Sequence, residues 1–285
     1  MKTVAVIGAG TMGSGIGYVC AEAGYETTVY DVSAKALAQA QVYHEGLMKR
    51  ALEKGRLTQE TADALCARMA YANDLGDVLR AADLIIEAVP EDIDLKKDFF
   101  QVAESLVRPD TILGSNTSSL PITEIASALT SVASRGRVIS IHFFNPAPVM
   151  KLVEIIKALD TDPAVVEQVV EFARSLGKEP VVVGDFPGFI TTRVGLMLVS
   201  EAIFALQEGV AGRDDIDKAM KLGYNLPMGP LELGDLVGLD IVYHVLEALF
   251  ENYKDARYRP PILLRKMVEA GRLGRKAGRG FYEYQ

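Results

Sequence analysis

Short β-branched runs alternate with helical stretches over the first two thirds of the chain, and beyond that only helical spacing recurs. Residues 3–7 are apolar without polar alternation, which predicts a strand buried on both faces. Glycines follow, then a helical pattern over about 11–23, closed by Gly24 as a C-cap. Residues 26–30 form a second strand that ends in Asp31. Residues 33–70 are helical in composition but broken by Gly55-Arg56-Leu57-Thr58, a helical pair inserted after the second strand, with Thr58 as a cap. Residues 71–72 are a weak strand and 84–89 a strong one. A helix over about 93–107, strands at 111–114, 137–143 and 151–157, a helix at 163–176 and a strand at 180–183 follow. This alternation argues a doubly wound, mostly parallel sheet. Residues 184–188 are a turn-rich break. Beyond it, 189–208, 213–222, 235–253 and 261–271 carry helical spacing, with one last strand expected at Phe281-Tyr282. The expected division is an α/β domain over 1–184 and an all-helical domain over 185–285.

Composition narrows the classes. The 285 residues suit one large domain or two modest ones. Hydrophobic residues at 49% and charged residues at 24% exclude a disordered or collagen-like chain. The net charge of −8 argues against nucleic acid as a partner, although a local cluster of lysines still suits a small anion. No run of 18 apolar residues is present, so no membrane-spanning helix is expected, and the apolar run at 4–7 is too short for a signal core. We therefore expect a cytoplasmic protein. Cys20 and Cys66 cannot build a disulfide framework or a zinc site alone, and both read as small buried hydrophobes. No His/Cys/Asp cluster has metal-ligand spacing, so no metal is expected.

Gly8-Ala9-Gly10-Thr11-Met12-Gly13 fits G-x-G-x-x-G. The first glycine permits a tight turn, the second lets a pyrophosphate approach the backbone, and the third lets helix pack on strand. Glycines serving only the turn would be the plainer reading. Here the motif follows a strand, opens a helix and leads to Asp31, the context that marks a Rossmann-like dinucleotide site. A carboxylate at Asp31 accepts hydrogen bonds from ribose hydroxyls and repels a 2′-phosphate, which favours NAD over NADP.

Three further blocks occur in order: Ser115-Asn116-Thr117-Ser118-Ser119, His142-Phe143-Phe144-Asn145-Pro146 and Pro227-Met228-Gly229-Pro230-Leu231-Glu232-Leu233. With the tail Gly274-Arg275-Lys276-Ala277-Gly278-Arg279-Gly280-Phe281-Tyr282, they resemble the L-3-hydroxyacyl-CoA dehydrogenase family over nearly the whole chain. The resemblance implies oxidation of the 3-hydroxyl of an acyl-CoA, short-chain such as 3-hydroxybutyryl-CoA, with hydride passing to NAD. It implies His142 and Glu154 as the catalytic pair, Ser118 as the hydroxyl-binding serine and Asn145 as a residue near nicotinamide and substrate. Glu91 and Lys96 match family cofactor contacts, and Lys54 matches a CoA-contacting lysine. The helical domain is implied to form a homodimer. The family's Asn before Arg, after Pro-Gly-Phe, is here Thr192, which keeps one donor and an acceptor but loses the amide's reach. Thr192 remains a candidate substrate contact.

The residues support the pair on their own terms. The turn signal Asn145-Pro146-Ala147-Pro148 lies between His142 and Glu154. A hairpin centred near Pro148 makes the two cross-strand partners, about 5 Å apart at Cβ. Histidine suits proton abstraction near neutral pH, and a carboxylate on its other nitrogen fixes the tautomer. Of the other histidines, His44 reads as solvated on a polar helix and His244 as packed among helices. Ser118 also suits a plain capping loop, and Lys54, with Lys49, Arg50 and Arg56, a solvated helix face. Two rival functions are a dehydrogenase of a free hydroxy acid such as gulonate, and a non-catalytic dinucleotide sensor.

Overall fold

A computed structural model describes residues 1–284. The chain divides into two compact units, Met1–Phe186 and Pro187–Gln285.

The first unit is built on one eight-stranded sheet. In chain order it runs β1 Thr3–Ile7, α1 Thr11–Glu22, β2 Glu26–Tyr30, α2 Ala34–Glu53, α3 Gln59–Ala67, β3 Met69–Ala72, α4 Leu75–Ala81, β4 Leu84–Glu87, α5 Ile93–Leu106 and β5 Ile112–Ser115. Two short helices, α6 Ile122–Ser127 and α7 Val132–Arg135, precede β6 Val138–Phe143, β7 Leu152–Lys157, α8 Pro163–Ser175 and β8 Glu179–Gly184. The strand order is β3-β2-β1-β4-β5-β6-β7-β8, all parallel except the β6–β7 pair. The chain direction across the sheet reverses between β1 and β4, which opens a crevice at their carboxyl ends. Val6, Ile86, Ile139, Ile141, Val153 and Ile155 are fully buried between the helical layers, as the uninterrupted apolar runs require. The helical pair α2–α3 lies between β2 and β3, and the Thr58 hydroxyl accepts the amide of Thr61 at 3.2 Å, capping α3. The short helices α4, α6 and α7 are four to seven residues long, too short to show a period in the sequence.

The second unit is helical: α9 Thr191–Gln207, α10 Arg213–Tyr224, α11 Pro230–Val237, α12 Leu239–Tyr253 and α13 Ile262–Glu269. The helix expected over 235–253 is two helices. They break at Gly238, whose φ of 104° is a conformation that favours glycine. The strand expected at Phe281-Tyr282 is also absent. Those amides donate to the carboxylate of Asp235 on α11, both at 2.9 Å, in place of a strand partner. A Cβ on Gly280 would stand 1.9 Å from Asp235 Oδ1, so the tail docks there only as glycine.

Candidate active site

The crevice at the ends of β1 and β4 is shaped by glycine. Gly8 has φ 108°, and a Cβ there would meet the Ala88 carbonyl oxygen at 2.7 Å. A Cβ on Gly13 would fall 1.8 Å from the Gly8 oxygen. Gly10 differs: its φ is an ordinary −71°, and an added Cβ would touch nothing within 4 Å. The protein's own packing does not demand glycine at 10, whereas a pyrophosphate lying on the backbone does. Gly10 also caps α1, which has neither a side-chain cap nor an acidic residue in its first turn. The N–H groups and positive dipole end at Thr11, Met12 and Gly13 therefore suit an anion. Asp31 ends β2 with Oδ2 accepting from the Ala9 amide and Oδ1 from the Ser33 amide, each at 2.8 Å. The carboxylate is thereby fixed beside the turn, with acceptor positions remaining for hydroxyl groups. These residues fit a dinucleotide.

The β6–β7 ladder places His142 opposite Glu154. Nδ1 of His142 lies 2.9 Å from Oε2 of Glu154, with the two residues 7% and 1% exposed. The ring packs on Phe144 with centroids 4.5 Å apart. Asn116, just past β5, accepts the Phe143 amide at 2.8 Å and so fixes the strand end that carries His142. His142, Asn145, Ser118, Glu91, Asn116 and Met12 line one cavity of about 300 Å³.

The floor beside it is a charge network. Glu91 Oε1 accepts from the Thr117 hydroxyl at 2.7 Å and from the Ser118 and Ser119 amides at 2.8 and 3.1 Å. The Ser118 and Ser119 hydroxyls each donate to the same oxygen at 3.2 Å. Burial pushes the Glu91 carboxyl up, but the Thr117 hydroxyl, the Lys96 ammonium and the Ser118 amide outweigh it and hold the group below the usual glutamate value. Lys96 lies beneath this network. It is 1% exposed and donates to Glu87 Oε1 at 2.6 Å, with Glu91 Oε2 at 3.5 Å. It is held there by the two carboxylates, beneath Glu91. Glu87 is fully buried and also accepts the Val89 amide and the Ser115 hydroxyl, so it joins the ends of β4 and β5. Sequence reasoning missed Glu87, Asn116 and Thr117 as parts of the site. The signal for Glu87 was one carboxylate inside the apolar run Leu84-Ile85-Ile86-Glu87-Ala88-Val89.

Lys54 is exposed at the C-terminal end of α2, and Thr192 stands in the first turn of α9 in the second unit. His44 is not solvated. It is fully buried, with Nε2 donating to the Ser14 carbonyl and Nδ1 bonded to the Tyr71 hydroxyl, each at 2.7 Å. Since the Ser14 carbonyl can only accept, the neutral ring carries its proton on Nε2 and Nδ1 accepts from Tyr71. His244 is exposed on α12, not packed, and Cys66 is exposed while Cys20 is buried. Among the described residues no group of three or more His, Cys, Asp or Glu is placed to hold a metal ion.

Comparison with known proteins decides the family. Residues 3–186 match the 3-hydroxyacyl-CoA dehydrogenase NAD binding domain, and residues 188–284 match the 3-hydroxyacyl-CoA dehydrogenase C-terminal domain. The chain belongs to the 3-hydroxyacyl-CoA dehydrogenase family. It is 45% identical to a probable 3-hydroxybutyryl-CoA dehydrogenase of Bacillus subtilis, over 100% of this chain and 98% of that protein. It is 42% identical to a 3-hydroxyadipyl-CoA dehydrogenase of Escherichia coli, over 100% of this chain and 59% of the relative. The crystal structure of (S)-3-hydroxybutyryl-CoA dehydrogenase from Ralstonia eutropha superposes with a TM-score of 0.96 at 40% identity, over 100% of this chain and 99% of that one. As a member of this family the protein is an NAD-dependent oxidoreductase, and its first unit is the NAD-binding domain. The Rossmann-like sheet followed by a helical unit agrees with the fold expected from the sequence.

Proposed function

We propose that the protein interconverts L-3-hydroxybutyryl-CoA and acetoacetyl-CoA, with His142 as general base and Glu154 as its orienting carboxylate. The observation that carries the reading is the 2.9 Å contact between His142 Nδ1 and Glu154 Oε2 at the wall of a cavity shared with Ser118 and Asn145. With Nδ1 held by Glu154, proton exchange falls to Nε2, which takes the hydroxyl proton of the substrate. Glu154 stabilises the imidazolium that results. NAD would supply the hydride acceptor. Gly8, Gly10, Thr11, Met12 and Gly13 would hold its pyrophosphate and Asp31 its adenosine ribose. Glu91, supported by Lys96, keeps the 117–119 segment in place, so that the Ser118 hydroxyl binds the substrate oxygen and Asn145 orients the reacting group. Lys54 is assigned to the CoA phosphates and Thr192 to the substrate.

The short acyl chain rests on the names of the Bacillus and Ralstonia relatives, and the likeness to the 3-hydroxyadipyl-CoA enzyme leaves room for a longer one. We assign a homodimer through the helical unit, supported by Val194, Leu222, Tyr224 and Ile262 exposed there. We also assign a cytoplasmic location, in keeping with two free cysteines. Among the described residues no helix is long and apolar enough to cross a membrane. The test is NADH oxidation with acetoacetyl-CoA and with free acetoacetate, and NAD reduction with a free sugar acid such as gulonate, each repeated with the 2′-phosphorylated cofactor. Turnover with acetoacetyl-CoA and preference for NADH are expected. Faster turnover of the sugar acid would favour the free-acid rival, and NADH binding without turnover of any of them the sensor.

A further inference from the structure

The loop between the base and its carboxylate is held by a residue outside the hairpin. Residues 144–151 join β6 to β7 and carry Asn145 beyond the last ladder pair, Phe143 with Val153. Lys178, in the short connection from α8 to β8, reaches this loop. Its Nζ donates to the carbonyl oxygens of Ala147 at 2.6 Å and Met150 at 2.8 Å. Lys178 is only 7% exposed. A buried ammonium is costly unless its donors are matched, and two loop carbonyls take two of its three here. On its other side the loop lies against α1. A Cβ on Gly15 would approach the Cβ of Ala147 to 3.1 Å and Cδ of Pro148 to 3.4 Å. The loop is therefore fixed between the two donors of Lys178 and the glycine face of the helix that begins at the dinucleotide turn. His142 and Glu154 are aligned by the ladder and do not depend on this clamp. Asn145, outside the ladder and lining the cavity, does.

We propose that Lys178 is a positioning residue of the dehydrogenase: by holding the Ala147 and Met150 carbonyls it sets where Asn145 stands relative to His142. This rests on the role given to Asn145 in the proposed function. Displacement of a reacting or orienting group by about 1 Å costs on the order of a hundredfold in rate, so a slackened loop is read directly in kcat.

The experiment measures acetoacetyl-CoA reduction by NADH in the wild type, Lys178→Met, Asn145→Ala and the double variant, with NADH affinity and melting temperature alongside. Lys178→Met is expected to lower kcat by about tenfold or more while NADH affinity stays within about twofold. The double variant should be no slower than Asn145→Ala alone within about threefold, because the two residues act through one position. A structural role alone would give losses that multiply. Wild-type kcat in Lys178→Met, or multiplying losses, overturns the proposal. If Lys178→Met does not fold, Lys178→Gln, which is one bond shorter and uncharged, is judged by the same criteria. A wild-type protein inert with acetoacetyl-CoA would overturn the functional reading and this inference with it, which separates the two failures.

Discussion

His142 and Glu154 show what a sequence carries at the scale of single residues. Their pairing was legible because a Pro-containing turn at the midpoint between them dictates a hairpin, and a hairpin dictates cross-strand partners. Lys96 and His44 show what it does not carry. The buried partner of Lys96 is Glu87, nine residues away and on another element. His44 looks solvated because its helical neighbours are polar, yet Ser14 and Tyr71 reach it from α1 and β3. Such partners are set by packing, which composition within one helix cannot reveal. The resemblance implies an Asn where this chain has Thr192, and the contribution of Thr192 is measurable. Thr192→Asn is expected to keep or raise kcat/KM for acetoacetyl-CoA and Thr192→Val to lower it, by about fivefold for one lost hydrogen bond. Unchanged kcat/KM in both variants would remove Thr192 from the substrate site.

At the scale of elements, the strand ends were placed by their apolar runs, and the glycine turn by its spacing. The device that joins them was hidden. Glu91 Oε1 accepts five amide or hydroxyl bonds from Thr117, Ser118 and Ser119 after β5, and Glu87 locks β4 to β5 underneath. Because its folded pKa is depressed, Glu91 contributes stability at and above the usual glutamate value of about 4.3, and loses it as pH falls through the lower folded value. His44 acts across a different window. Burial holds its pKa down, only partly offset by its bond to the Ser14 carbonyl. Below about 6.5 the unfolded chain binds a proton that the fold refuses, so stability falls with pH from there toward the depressed folded value. Urea unfolding of His44→Gln should therefore show a shallower loss of stability between pH 7 and 5 than the wild type, by up to about 1.4 kcal/mol per pH unit. Identical slopes would contradict the burial of a neutral ring.

For the whole molecule, the grammar of alternating strands and helices, followed by helices alone, anticipated an α/β part and a helical part, and two compact units are present. The last segment was misread because a tail held by one buried carboxylate has the composition of a strand. Asp235 binds the Phe281 and Tyr282 amides and the Tyr284 hydroxyl, and Gly280 lies where any side chain would strike it. Gly280→Ala should thus loosen the tail and lower the melting temperature by several degrees, the scale of a 1–3 kcal/mol loss in a chain of this size. An unchanged melting temperature would mean the tail contributes little to the second unit. The global charge of −8 bears little on ligand choice here, since the local N–H groups at the start of α1 suit an anion whatever the net charge.

The proposed chemistry depends on one imidazole, and kcat of His142→Gln with acetoacetyl-CoA and NADH, measured on protein that still binds NADH and melts as the wild type does, tests it most directly. A fall of about 10²–10⁴-fold is expected for loss of a general acid–base group. A kcat within a few-fold of the wild type would contradict the role of His142.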